Sequence, residues 1–181
     1  LPTKPILSLI KNNCINSDIE LNANSANYDE IQWSLDSNFN NIINTSTNNG
    51  TSLFYNITNS PTLFYVRAKR GNFYSEVEQI SVTPFSNPNI TEVVGNNLDF
   101  CGNQAKFSAI GNELTNVKWY SGISADSTQY LGSGLNFIYN TSSLSYGSHN
   151  IYLVGENSNG CKTSVITVPF KKIQFQNSIT A

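Results

Sequence analysis

Two pentapeptides decide the fold of this chain: Glu30-Ile31-Gln32-Trp33-Ser34 and Asn116-Val117-Lys118-Trp119-Tyr120. Each places a tryptophan in a run that alternates apolar with polar side chains, the period-two pattern of a half-buried strand. The two tryptophans stand 86 residues apart, and they are the only two in the chain. Working outward, the same offset returns to within one residue, as 86 or 87. Upstream lie Cys14 and Cys101, and then the alternating segments Ile19, Leu21, Ala23 and Ala105, Phe107, Ala109. Downstream, Phe64, Val66, Ala68 match Ile151, Leu153, Gly155, and each half closes on a β-rich stretch, Ile80-Ser81-Val82 or Ile166-Thr167-Val168. Five landmarks at this spacing identify an internal repeat. The seam falls in Pro84-Phe85-Ser86-Asn87-Pro88, where two prolines interrupt strand pairing. The expected domains are therefore 1–86 and 87–181.

No segment has helical periodicity. Turn-forming stretches separate the strands: Asn48-Asn49-Gly50, Asn59-Ser60-Pro61, Gly71-Asn72, Gly95-Asn96-Asn97 and Asn159-Gly160. Several short strands in about 90 residues, punctuated every ~8–12, predict a sandwich in each half. The expected fold class is all-β: two tandem antiparallel β-sandwich domains with Trp33 and Trp119 in matching cores.

Composition narrows the chemistry. The 181 residues include 28 Asn, 23 Ser and 14 Thr, while charged residues make up only 12 %. Aromatics reach 12 %, which argues for a folded chain, since disordered segments are charge-rich and aromatic-poor. The net charge is −2, and each half carries five basic residues. Neither can neutralise many phosphates, so nucleic acid is not an expected partner. The longest apolar runs, such as Leu63-Phe64-Tyr65-Val66, are far short of the ~20 residues of a membrane-spanning helix. No signal peptide is visible at Leu1, and a chain without an initiating Met reads as a processed protein or an internal fragment.

Particular stretches resemble known modules. Tyr28-Asp29-Glu30-Ile31-Gln32-Trp33-Ser34-Leu35-Asp36-Ser37-Asn38-Phe39, with Phe64-Tyr65-Val66-Arg67-Ala68 and Tyr74-Ser75-Glu76, resembles a fibronectin type III module. It departs from that family at the tyrosine corner, where Phe64 has no hydroxyl. The second half resembles the immunoglobulin-like modules of secreted and surface proteins of Bacteroidetes. The resemblance rests on Trp119-Tyr120-Ser121-Gly122, Leu131-Gly132-Ser133-Gly134-Leu135-Asn136-Phe137, Ile151-Tyr152-Leu153 and Asn157-Ser158-Asn159-Gly160-Cys161-Lys162-Thr163-Ser164. It implies modules strung within a longer protein of the type IX secretion or gliding-motility adhesin type.

The resemblance also implies a Cys101–Cys161 disulfide. Closing a loop of about 60 residues, it would stabilise the second module by roughly 4 kcal/mol on the chain-entropy model. The bland alternative is a pair of reduced thiols. Cys14 has Phe73 where its partner would stand, and so reads as a free thiol: a small buried apolar side chain, or an exposed thiol open to an intermolecular bridge.

No catalytic constellation is visible. His149, the single histidine, lies in a strand-entry turn and lacks a nucleophile partner. Three cysteines and one histidine in this arrangement build no zinc site. Gly132-Ser133-Gly134 is too short for a phosphate loop and reads as a turn. Asp29/Glu30 and Glu76/Glu78 read as solvated strand faces rather than a glycosidase pair, and the acidic residues are too dispersed for calcium. Five Asn-x-Ser/Thr sequons, at Asn44, Asn49, Asn56, Asn89 and Asn140, are in keeping with the composition, and Asp126-Ser127-Thr128 resembles a short O-glycan acceptor. Tyr65, Tyr152, Tyr120 and Tyr130 are the candidate ligand contacts, because tyrosines one step off a core-facing series can stack on sugar rings. The expectation is a non-enzymatic extracellular spacer and adhesion module pair, an internal fragment of a large bacterial cell-surface adhesin. It needs no cofactor or metal. Its partners are the neighbouring domains of a longer chain, with surface glycans or other proteins beyond. The rival reading is a glycan-binding accessory region of a secreted polysaccharide-degrading enzyme.

Overall fold

The computed structural model describes residues 1–11, 13–47 and 52–174. The predicted turn Asn48-Asn49-Gly50 and the sequon at Asn49 lie outside the described residues. The chain divides into two compact units, Leu1–Ser86 and Asn87–Ala181. Among the described residues every regular element is a strand, and no helix is long and apolar enough to cross a membrane.

In the first unit the strands are β1 (Ile6–Leu9), β2 (Ser17–Asn24), β3 (Glu30–Ser34), β4 (Ile42–Thr47), β5 (Ser52–Ile57), β6 (Thr62–Arg70), β7 (Phe73–Tyr74) and β8 (Glu78–Val82). They form a three-stranded sheet, β1-β2-β5, and a five-stranded sheet, β4-β3-β6-β7 with β8 also on β6. Alternation decides the core. Ile19, Leu21 and Ala23 point inward from one sheet, and Ile31, Trp33, Phe64, Val66 and Ala68 from the other, all fully buried in one cluster. The Phe64 ring meets Tyr55 edge-on at 5.0 Å.

The second unit contains β9 (Asn89–Val94), β10 (Leu98–Phe100), β11 (Gln104–Asn112), β12 (Asn116–Tyr120), β13 (Tyr130–Ser133), β14 (Asn136–Asn140), β15 (Gly147–Glu156) and β16 (Ile166–Lys172). Its sheets are β14-β11-β9 and β10-β16-β15-β12-β13. Ala105, Phe107 and Ala109 face Val117, Trp119, Ile151, Leu153, Val168 and Phe170 in a second buried cluster. Trp119 stacks on Phe137 at 5.3 Å and 11°, and its indole N–H donates to the Gly134 carbonyl at 2.8 Å. The Trp33 indole N–H has no partner among the described residues.

Three findings differ from the sequence reading. One strand pair, β10 with β16, is parallel rather than antiparallel. The chain leaves β9 through Gly95 at φ +95°, where an added Cβ would stand 2.7 Å from the Lys106 carbonyl oxygen, and crosses to the opposite sheet. Residues 132 and 133, read as a turn, belong to β13, and only Gly134 at φ +127° leaves the strand. His149, placed in a turn, is the third residue of β15.

Both units carry an irregularity at one equivalent place. The register shifts between Trp33 and Ser34 against β4, and between Trp119 and Tyr120 against β13. Such bulges bend a strand and re-aim the side chains that follow.

Candidate functional site: a tyrosine row on the second unit

The side chain after each core tryptophan points away from the core. In the second unit that residue is Tyr120. Strand register sets it beside Tyr130 on β13 and Tyr152 on β15. Adjacent strands lie ~4.8 Å apart, so three of the four candidate tyrosines form one row across the sheet's outer face. Tyr130 is 48 % exposed and Tyr120 only 8 %; Tyr152 is half-buried. The Tyr120 and Tyr130 rings meet edge-to-face at 5.9 Å, a favoured geometry for an aromatic pair. Tyr65 belongs to the first unit, between Ser34 and Gln79 in register.

Beside Tyr120 and Tyr130 opens a cavity of about 310 Å³, completed by Lys118, Ala125, Asp126 and Ser127. Its two charged groups are both fixed. The Lys118 ammonium donates to Glu156 at 3.0 Å, and Lys162 pairs with the same carboxylate at 3.3 Å. The hydrogen bond to Glu156 is the main cause that raises the Lys118 pKa. Burial of Glu156 opposes its ionisation, but the two lysines outweigh it and hold the carboxyl below its ordinary value. Asp126 Oδ1 accepts from the Thr128 hydroxyl at 2.5 Å and from its amide at 2.9 Å. The Thr128 hydroxyl is the leading cause that lowers the Asp126 pKa, with burial opposing it and the amides of Thr128 and Gln129 adding to it.

The first unit treats the same face differently. The Arg67 guanidinium lies between the rings of Phe39 at 4.0 Å and Tyr74 at 3.9 Å. Its Nε donates to Gln32 at 2.8 Å, and Gln32 donates to Glu30 at 2.5 Å. Phe39 reaches this stack from a turn in which it takes φ +58°. The Asp36 carboxylate holds that turn, accepting the amides of Asn38, Asn40 and Asn41 at 2.9, 3.2 and 2.8 Å. Burial pulls against ionisation of Asp36, but these donors with Ser34 prevail and lower its pKa. The sequence reading missed this stack. The signal available was Arg67 at an outward strand position with Gln32, a long polar side chain, as its neighbour in a Trp-bearing strand.

The cysteine assignment requires correction. Cys101 carries a free, exposed thiol, while Cys14, read as the free one, and Cys161 are disulfide-bonded. Strand register gives the reason. Cys101 follows β10, which runs parallel to β16 with Phe100 opposite Lys172, so it lies beyond the end of β16. Cys161 precedes the start of β16 at Ile166, beside the far end of β15, where Glu156 bridges Lys162. The six steps along β16 alone span roughly 20 Å, against a Cα separation below about 7 Å in a disulfide. Cys161 is 1 % exposed, and its amide donates to Asn157 Oδ1 at 3.0 Å.

Other weighed residues have structural partners. The ring of His149 lies 5.6 Å from that of Phe170 and its Nε2 is 2.8 Å from the Ser145 carbonyl oxygen. Asp29 accepts the Gly71 amide at 2.9 Å, Glu30 pairs with Lys69 at 3.8 Å and Glu78 with Lys4 at 2.9 Å. Asn56 and Asn140 are spent on Asp18 and the Ser142 amide. Among the described residues no group of three His, Cys, Asp or Glu side chains gathers as a metal site.

No protein-family model matches the chain, and no curated protein matches it. Solved structures do. The chain is similar to the fibronectin(III)-like modules of Clostridium thermocellum CbhA, at 11 % identity and a TM-score of 0.48, over 97 % of this chain and 100 % of that one. It is similar to a segment of two fibronectin type III domains from chicken tenascin, at 12 % identity and a TM-score of 0.34, over 92 % and 98 %. It is also similar to the ligand-binding domain of human OSCAR, at 8 % identity and a TM-score of 0.38, over 91 % and 97 %.

Proposed function

We propose that this chain is a pair of non-catalytic β-sandwich modules, fibronectin III-like and immunoglobulin-like, serving as an extracellular spacer and adhesion segment of a longer surface protein. The observation that carries the reading is the duplication. Each compact unit closes its own core around a fully buried tryptophan, Trp33 or Trp119, at the same register position of the same strand. A plan repeated in this way adds length and surface without a catalytic constellation. The oxidised state of Cys14 and Cys161 supports an extracellular location, since disulfides persist in oxidising compartments. A glycan-binding accessory role stands beside this reading, favoured by the tyrosine row.

The test is surface labelling of intact cells of the source organism. An antibody raised against the chain is expected to stain unpermeabilised cells. Rapid alkylation before lysis is expected to leave Cys14 and Cys161 unmodified. Staining only after permeabilisation, with all three cysteines alkylated, would overturn the reading.

A further inference from the structure

We propose that the groove formed by Tyr120, Tyr130 and the turn at Ala125–Ser127 binds one uncharged sugar ring of a glycan. The inference rests on the glycan-binding reading, which it narrows to one groove and one ligand class, and does not depend on the spacer reading.

It begins with two differences between equivalent positions. Phe39 and Ala125 occupy the same place in the turn after the tryptophan strand. Both have positive φ, +58° and +49°, and each amide bonds back to the carbonyl three residues earlier, Asp36 or Gly122, at 3.2 Å. Arg67 and Val154 are likewise equivalent, since Gln32 faces Arg67 in register as Lys118 faces Val154. In the first unit the phenyl ring and the guanidinium fill the space over the sheet. In the second, alanine and valine stand at these two positions, and a cavity opens beside Ala125.

Charge and shape then select the occupant. The floor is aromatic, and a volume of about 310 Å³ is at the lower end of small-ligand sites, of order 300 Å³ and above. One rim is the Asp126 carboxylate, with Oδ1 saturated by Thr128. The other is Lys118, which spends one of its three donors on Glu156. An anionic ligand would meet Asp126, and a cationic one would meet Lys118. A ring of hydroxyls satisfies both rims, donating to the carboxylate and accepting from the ammonium, while its C–H face lies on Tyr130.

The test is a titration of the full chain, followed by amide NMR, with methyl glycosides of glucose, galactose and mannose. Glucuronate, glucosamine and an arginine-bearing peptide serve as charged probes. At least one neutral glycoside is expected to shift amides of β12, β13 and the intervening turn, and glucuronate to bind about tenfold more weakly. Tyr130→Ala should lower the neutral affinity by about tenfold, and Tyr130→Trp should preserve it. Ala125→Phe should abolish binding with the fold intact, because a phenylalanine already occupies the equivalent turn at Phe39. Asp126→Asn should bring glucuronate close to the neutral probes. No shifts with any neutral glycoside, an affinity unchanged by Tyr130→Ala, or binding of the arginine peptide alone would each overturn the proposal.

Discussion

Replacing each tryptophan by phenylalanine separates burial from hydrogen bonding in this fold. Both indoles are fully buried. The lost ring volume is about 40 Å³, worth about 1 kcal/mol at ~24 cal/mol per Å³ of void. Transfer of the removed atoms adds about 1 kcal/mol. These losses are common to Trp33→Phe and Trp119→Phe. Hydrogen bonding is not. Trp119 donates to the Gly134 carbonyl at 2.8 Å, and its loss strands a part-buried acceptor at a cost of about 1–3 kcal/mol. The Trp33 N–H has no such partner among the described residues, so its removal costs nothing further and relieves an unpaired donor. We expect about 3–5 kcal/mol for Trp119→Phe and at most about 2 kcal/mol for Trp33→Phe. Urea unfolding of the full chain by far-UV circular dichroism measures both, with an unchanged m-value as the sign that only stability moved. Equal losses, or a larger loss for Trp33→Phe, would refute the reasoning.

Peptide mapping without reductant is expected to find Cys101 alkylated and Cys14 and Cys161 protected; alkylation of Cys14 in an oxidised sample would contradict the disulfide assignment. Lys172 is 6 % exposed, and its ammonium donates to the carbonyls of Thr141 at 2.7 Å and Leu144 at 3.0 Å. Lys172→Met should therefore destabilise the chain by about 2–3 kcal/mol, a loss absent from a control at exposed Lys171. The Glu156 carboxyl is held below its ordinary 4.5 in the folded chain, so the unfolded chain binds more protons as pH falls. Its stabilisation is present above about pH 4.5 and is lost as pH drops through the folded value. Glu156→Gln should flatten the stability profile across that range, and a profile identical to the parent would argue against the Lys118–Glu156–Lys162 cluster.

The parts of this molecule readable from its sequence are those that obey strand periodicity. Phe64, Val66 and Ala68 face inward because alternate residues must, and their counterparts at Ile151, Leu153 and Gly155 follow from the repeat. Tyr120 and Tyr152 are outward by the same rule. Pairing across the fold is a different matter. The parallel contact of β10 with β16 involves three residues on one side, too few for a pattern, and is set by where the chain crosses between sheets after Gly95. The cysteine assignment failed for the same reason. Equivalent sequence offsets place Cys14 and Cys101 alike in the plan, but the parallel register of β10 on β16 sets Cys101 at the end of β16 away from Cys161. The Arg67 stack was hidden because Phe39 enters it only through a positive φ in a turn of polar residues.

Duplication explains how one scaffold supports two kinds of outer face. The core positions are bound by mutual packing, so both copies keep a tryptophan, an alternating partner strand and the bulge beside it. The turn after that strand is held by other groups: the Asn38, Asn40 and Asn41 amides on the Asp36 carboxylate in one copy, the Ala125 amide on the Gly122 carbonyl in the other. Because the turn does not depend on the side chain at Phe39 or Ala125, that position can change freely. With phenylalanine there and arginine at the facing strand position, the surface closes on itself through two cation–π contacts, each worth about 0.5–1 kcal/mol at exposed sites. With alanine and valine it forgoes that stabilisation and leaves two tyrosine rings, a carboxylate and an ammonium around an open space. The cost to the second unit is therefore of the order of a kilocalorie per contact, small beside the burial that holds its core, and surface can diverge where core cannot.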